Sequence, residues 1–142
     1  MNVGHIITRP LISIASIASI LDAAKIMVYQ NLGLLVVCDV KEKVKLVGVV
    51  SERDIIRAVV SGKRMDAPVH EICTKTVVTV KADSDVAEAA KAMNRNRIRH
   101  VVIVDDHETP IGVVSMRDLV GERSTLTAIL QSHEKEVFIG GD

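Results

Sequence analysis

Apolar and polar positions along this chain change period in a fixed order, and the order occurs twice. Ile12-Ser13-Ile14 alternates as a strand does, and so does Val78-Thr79-Val80. Helical spacing follows each, with Ile20, Ala24 and Met27 in the first case and Val86, Ala90 and Met93 in the second. Ser19 with Asp22, and Asp85 with Glu88, have capping-box spacing and set the predicted helix starts. Continuous apolar runs come next, Leu34–Cys38 and Val101–Val104, as expected of strands buried on both faces. A charged turn then leads to a strand ending at Val50 or Val114, and a helix opens at Ser51 or Ser115. Gly62 is a fair stop for the first of these helices. The predicted order is strand–helix–strand–strand–helix, twice.

The copies can be laid on one another. Displaced by 66 positions, Ile20, Ala23, Ala24, Lys25 and Met27 fall on Val86, Ala89, Ala90, Lys91 and Met93, and the run Leu35–Asp39 falls on Val101–Asp105. The displacement drops to 64 at Gly48-Val49-Val50-Ser51-Glu52-Arg53-Asp54, which returns as Gly112-Val113-Val114-Ser115-Met116-Arg117-Asp118. The turn after Asp39 is therefore two residues longer than the turn after Asp105, and loops are where repeats tolerate such differences. This divides the chain into a first repeat (1–66), a second repeat (67–124) and a tail (125–142), with a joining segment at Lys63–Lys75. Leu126, Ile129, Leu130 and Val137 give the tail helical spacing. Neither half, at about 60 residues, buries enough surface to be comfortable alone. The expected fold is α/β: two β-α-β-β-α repeats packed about a pseudo-twofold axis, their small sheets covered by helices.

Composition narrows the chemistry. Hydrophobic residues make up 48% of the 142, but Tyr29 and Phe138 are the only aromatics, so aliphatic side chains and Met must fill the core. Lys and Arg balance Asp and Glu at 18 each, which argues against a dedicated nucleic-acid or membrane-surface binder. Cys38 and Cys73 sit among apolar residues without the density of a disulfide scaffold, and buried thiols in a reducing cytoplasm are the plain expectation. No apolar run approaches the ~18 residues a membrane span requires. Leu11–Leu21 has the look of a short signal core, but it aligns with an internal segment near Thr76–Ala87 and reads as fold.

The repeated heptad carries the candidate chemistry. A strand ending at a helix start presents backbone N–H groups, a Ser hydroxyl and a carboxylate at one edge, which suits a small ligand with hydroxyls and an anionic end. Asp54 and Asp118 lead the candidates: two carboxylate oxygens match two adjacent hydroxyl donors. Ser51 and Ser115 stand beside them. The competing reading is local, because Ser-x-x-Asp is also close to a capping box, and a Ser can cap and bind at once. Arg53 and Arg117 recur too; contact with phosphate or a dimer partner is one reading of them, and solvent-exposed helix charge is the preferred one. His70 and Cys73 lie three apart without a second pair, so a structural role is expected and no metal site is predicted. No nucleophile, base and orienting group can be assembled from spacing, so no catalysis is predicted.

With both heptads placed, the chain from about Val3 to Arg123 resembles a tandem pair of cystathionine-β-synthase (CBS) domains. Val69-His70-Glu71-Ile72-Cys73-Thr74, Val77-Val78-Thr79-Val80, the Ala-Ala-Lys-x-Met of the first helix and Arg97-Ile98-Arg99-His100 add to the likeness. The resemblance implies a stand-alone regulatory module that binds AMP, ADP, ATP or S-adenosylmethionine in two clefts between the repeats. The adenosine compound would be a regulatory ligand, with no obligatory cofactor. It also implies a homodimer shaped as a flat disc, read by an unidentified regulated protein.

Carried over residue by residue, the resemblance puts Asp54 and Ser51 in one cleft with Arg99 and His100. Asp118 and Ser115 would face Gly33 and Leu34, which offer no cation, so the better phosphate site contains Asp54. The alternative for Arg99 and His100 is a solvated turn or an ion pair with Asp105 or Asp106. Adenine needs an aliphatic slot, with Ile12 and Ile14 or Val78 and Val80 as walls, unless these are ordinary core. Thr8 and Thr74 match positions near the ligand in the family. Two other readings stand beside this one: a scaffold pair that has lost its ligand, and a nucleic-acid binder using Arg95, Arg97, Arg99 and His100, disfavoured by zero net charge and missing aromatics.

Overall fold

The structure, a computed structural model, describes residues 1–39, 41, 45–121 and 129–131. The first repeat runs β1 (Ser13–Ala15), α1 (Ile20–Gln30), β2 (Leu34–Cys38), β3 (Leu46–Ser51), α2 (Glu52–Val60). The second runs β4 (Thr79–Lys81), α3 (Val86–Asn96), β5 (His100–Val104), β6 (Pro110–Ser115), α4 (Met116–Val120). The predicted order holds throughout. β1 and β4 begin one residue late because their parallel ladders start at Ser13↔Val36 and Thr79↔Val102. A short 3-10 turn leads into each repeat, Val3–Ile6 and Val69–Glu71. Of the tail, residues 129–131 are described and helical, and the rest of the expected tail helix lies outside the described residues. Among the described residues no helix is long and apolar enough to cross a membrane.

Two three-stranded sheets result, ordered β1-β2-β3 and β4-β5-β6, in a mixed α/β architecture. In the first, β1 runs parallel to β2 and β3 antiparallel to it, with a register break between Val37 and Cys38. The central strands are buried on both faces, as their unbroken apolar runs predict: Leu35, Val36 and Val37 have no exposed surface. Leu35 and Val37 join Ile14, Ala23, Met27, Val50 and Val69 in one core. Val101 and Ile103 join Val3, Val86, Ala89, Met93, Val114 and Leu119 in the other.

The compact units do not follow the repeat boundaries. The first-sheet unit comprises 10–77 with 109–111, and the second-sheet unit comprises 1–9, 78–108 and 112 onward. The lead-in of the second repeat therefore packs on the first sheet, where Val69 is fully buried, and the amino-terminal lead-in packs on the second, where Val3 is. This explains the glycine that opens each heptad. A Cβ on Gly48 would stand 2.5 Å from the Thr74 carbonyl oxygen, and one on Gly112 would stand 2.8 Å from Ile7 Cδ1. Each glycine is the floor on which a lead-in rests.

Helix ends follow the chain's turn chemistry. Gly62 has φ +77, and Lys63 N–H donates to Ala58 O while Gly62 N–H donates to Val59 O, closing α2. α1 and α3 close the same way on Asn31 and Arg97, both at φ 54 and 66 positions apart. An arginine in the left-handed region is uncommon, whereas Asn tolerates it.

Candidate ligand-binding site

β3 and β6 each deliver their last residue, Ser51 or Ser115, in the extended backbone conformation of an N-cap. Asp54 N–H donates to Ser51 Oγ at 3.2 Å, and Ser51 N–H donates back to Asp54 Oδ2 at 2.9 Å. The second copy repeats this with Ser115 and Asp118 at 3.0 and 2.8 Å. Both are complete capping boxes, so the local reading of Ser-x-x-Asp holds in each. It occupies one lone pair of one oxygen, and a carboxylate accepts at about four such positions. Ser19 also caps its helix, accepting from Asp22 N–H at 3.0 Å. Asp85 makes no side-chain cap; its Oδ1 takes the amino-terminal ammonium at 3.2 Å, which holds its carboxyl below the usual range.

The surroundings of the two carboxylates differ. Thr74 is paired with Val49 by two backbone hydrogen bonds, 2.8 and 3.0 Å, which brings its hydroxyl within 3.4 Å of Asp54 Oδ2. Asp54 Oδ1 lies 3.9 Å from the Arg57 guanidinium, and the Asp54 side chain is only 10% exposed. Asp118 is exposed. Three of the sequence candidates, Ser51, Asp54 and Thr74, are thus together, as are Ser115 and Asp118.

The remaining candidates are placed as follows. Arg99 is exposed and His100 half-buried at the start of β5, where Met116 N–H donates to the Arg99 carbonyl at 2.8 Å. The matching bond in the first-sheet unit runs from Glu52 N–H to the Gly33 carbonyl at 3.2 Å. Inside its own unit, then, the cationic segment adjoins the Ser115 helix start. Thr8 is exposed. Ile14 belongs to the first core with Ile12 packed against that core, and Val78 and Val80 pack against the second.

The lead-in also holds Cys73, whose thiol donates to the His70 carbonyl at 3.6 Å. Burial pushes this thiol up, Lys75 opposes the shift, and the carboxylate of Asp54 adds to it. Burial likewise raises Cys38 against a Ser13 hydrogen bond. Both are free cysteines, and neither has the electropositive setting of a reactive thiolate. Among the described residues no three His, Cys, Asp or Glu side chains gather as a metal site would require.

Sequence reasoning missed a groove beside Asp54. It is walled by Arg57, Ala58 and Ser61 of α2 and by Lys63, Glu71 and Ile72 of the joining segment, with a volume near 350 Å³. Lys63 Nζ meets Glu71 Oε1 at 2.9 Å across it. The helix side was legible, since Arg57, Ala58 and Ser61 follow Asp54 at i+3, i+4 and i+7. The opposite wall depends on the joining segment folding back, for which the local pattern carries no signal.

The CBS-domain family model matches residues 3–61 and 69–124, one match on each repeat. The chain belongs to the CBS-domain family. It is similar to a CBS domain protein of Pyrobaculum aerophilum complexed with AMP, at 34% identity and a TM-score of 0.88, covering 92% of this chain and 99% of that one. The CBS domain pair of protein MJ0100, in complex with 5′-methylthioadenosine and S-adenosyl-L-methionine, matches at 33% identity and a TM-score of 0.77, over 90% of this chain and 96% of that one. The L-aspartate semialdehyde sulfurtransferase of Methanocaldococcus jannaschii is 34% identical over 82% of this chain, which spans only 22% of that enzyme. The CBS pair is thus the shared part, and CBS pairs are generally regulatory rather than catalytic.

Proposed function

We propose that this chain is a regulatory module that binds an adenosine-containing ligand, with the Ser-x-x-Asp helix starts gripping the ribose. The observation that carries the reading is the likeness, over nearly the whole of both chains, to a CBS pair complexed with AMP. The likeness to a pair holding methylthioadenosine and S-adenosylmethionine supports the adenosyl group as the common element. In this reading Asp54 offers the diol its Oδ1, since its Oδ2 already accepts from Ser51 N–H and the Thr74 hydroxyl. Asp118 offers Oδ1 and the second lone pair of Oδ2, so binding does not require the capping boxes to open.

Following the family arrangement, Asp54, Ser51 and Thr74 share a cleft with Arg99 and His100, which take the phosphate. Ile12 and Ile14, or Val78 and Val80, flank adenine. Asp118, Ser115 and Thr8 form the poorer site. The module has no catalysis of its own, works as a homodimer in the cytoplasm, and passes ligand-dependent packing to a regulated protein. Such a shift is bounded by the ligand's differential affinity for the two states.

The test is thermal unfolding with AMP, ADP, ATP and S-adenosylmethionine, beside guanine nucleotides and short oligonucleotides. A ligand at a hundredfold excess over its Kd adds about 2.7 kcal/mol, which raises the melting temperature of a domain this size by several degrees. An adenosine-specific rise is expected. A salt-sensitive oligonucleotide shift without any adenosine response overturns the reading in favour of nucleic acid.

A further inference from the structure

The groove beside Asp54 has a charge layout that discriminates among adenosine compounds. Its two cations are each matched by a carboxylate: Arg57 with Asp54 Oδ1 at 3.9 Å, and Lys63 with Glu71 at 2.9 Å. Ala58, which is buried, and Ile72 give it an apolar surface between the pairs. A polyphosphate tail entering here would meet two acids as well as two bases, with no net positive potential to hold it. A zwitterion meets a complement at both ends, a cation for its carboxylate and a carboxylate for its ammonium.

We infer that this groove is a subsite for the amino-acid end of an adenosyl sulfonium compound whose ribose is held at Asp54. The inference rests on the adenosine reading and adds to it a ligand class and a polarity. Glu71 receives the α-ammonium, and Lys63, released from Glu71, joins Arg57 on the α-carboxylate. The existing ion pair is exchanged for two new ones, so neither the α-ammonium nor the α-carboxylate is left unpaired. The aliphatic chain between the two ends lies against Ala58 and Ile72. Among the described residues the second-sheet unit lacks the acid of this wall: Ile6 stands where Ile72 does, but the counterpart of Glu71 in the amino-terminal lead-in is His5. The preference therefore belongs to the Asp54 site alone.

The experiment compares S-adenosylmethionine with 5′-methylthioadenosine, which keeps the nucleoside but has a neutral thioether in place of the sulfonium and lacks the amino acid. Titration calorimetry is run on the wild-type chain, on Glu71→Gln, and on Lys63→Met/Glu71→Gln. The wild type is expected to favour S-adenosylmethionine by roughly tenfold or more, the scale of one charge-assisted hydrogen bond. Both variants are expected to lose that preference while keeping their affinity for methylthioadenosine, which also certifies that they fold. Equal binding of the two compounds by wild type, or a preference that survives in the double variant, overturns the subsite and leaves the adenosine reading standing. Failure of the wild type to bind either compound or AMP overturns both.

Discussion

The two units carry one scaffold and close it differently. On the first sheet the lead-in lays main chain over Gly48, and Thr74 pairs with Val49 and reaches Asp54. On the second sheet the lead-in presses the Ile7 side chain over Gly112, and Asp118 stays exposed. The capping boxes are alike to within a few tenths of an ångström. What the repeats share is therefore what builds a strand-to-helix corner, and what they do not share is what surrounds its carboxylate. Identity of motif does not make the two corners equal as binding sites.

The carboxylates offer the largest contrast. Asp54→Ala and Asp118→Ala remove equivalent capping boxes, so each should lower stability by a similar ~0.5–2 kcal/mol. AMP affinity should separate them: roughly ten- to thousandfold loss for Asp54→Ala, from one or two charge-assisted contacts, and a smaller loss for Asp118→Ala. Unfolding and titration calorimetry on the pair check this. Equal losses of affinity would mean that the asymmetry is not functional.

The glycines come next. Gly48→Ala drives a methyl into the Thr74 carbonyl, which cannot yield without moving the lead-in, and overpacking of this kind costs about 1–3 kcal/mol. Gly112→Ala meets side chain rather than main chain, Ile7 Cδ1, Cγ2 and Cγ1 at 2.8, 2.9 and 3.1 Å, so Ile7 must repack but no carbonyl is displaced. Melting temperatures should fall by roughly 5 °C or more for the first substitution and distinctly less for the second. A larger fall for Gly112→Ala would reverse the picture of how the two lead-ins are seated.

The smallest contrast is alkaline. Cys38 and Cys73 both belong to the first-sheet unit, and their counterparts 66 positions away are Val104 and Ile7. Burial raises both thiols above the ordinary value of 9.0. Below that value each thiol is neutral, folded or unfolded, and contributes no pH dependence. As pH rises through it the unfolded chain ionises first, so stability is lost toward the higher folded value. Replacing the pair with the residues of the other repeat, Cys38→Val with Cys73→Ile, should flatten the fall in melting temperature between about pH 8 and pH 10. An unchanged slope would show that the thiols titrate as they do in water.

Much of this was legible in the sequence because each local signal was stated twice. The order of ten elements, the buried central strands and the Ser51 and Ser115 caps all follow from period and capping chemistry within a dozen residues. Gly62 showed where α2 ends for the same reason. The glycine at the head of each heptad was visible, but its purpose was not. Its partner, Ile7 or Thr74, arrives from a segment remote in sequence, and hydrophobic period does not say where such a segment docks. Arg97 in a left-handed turn was hidden too, since its place in the helix end is an asparagine's in the other copy. The Lys63–Glu71 wall escaped because two charges eight residues apart in a joining segment read as solvated until the fold brings them across a groove.

The exchange of lead-ins also bears on how such a chain can be cut and reused. Severing it between residues 66 and 67 would leave the first half without the flap that seals its sheet and hand that flap to the second half as a loose end. The portable piece is not the repeat that was duplicated. A cassette carrying the Asp54 corner with its shelter intact has to begin near Pro10 and run to about Val77.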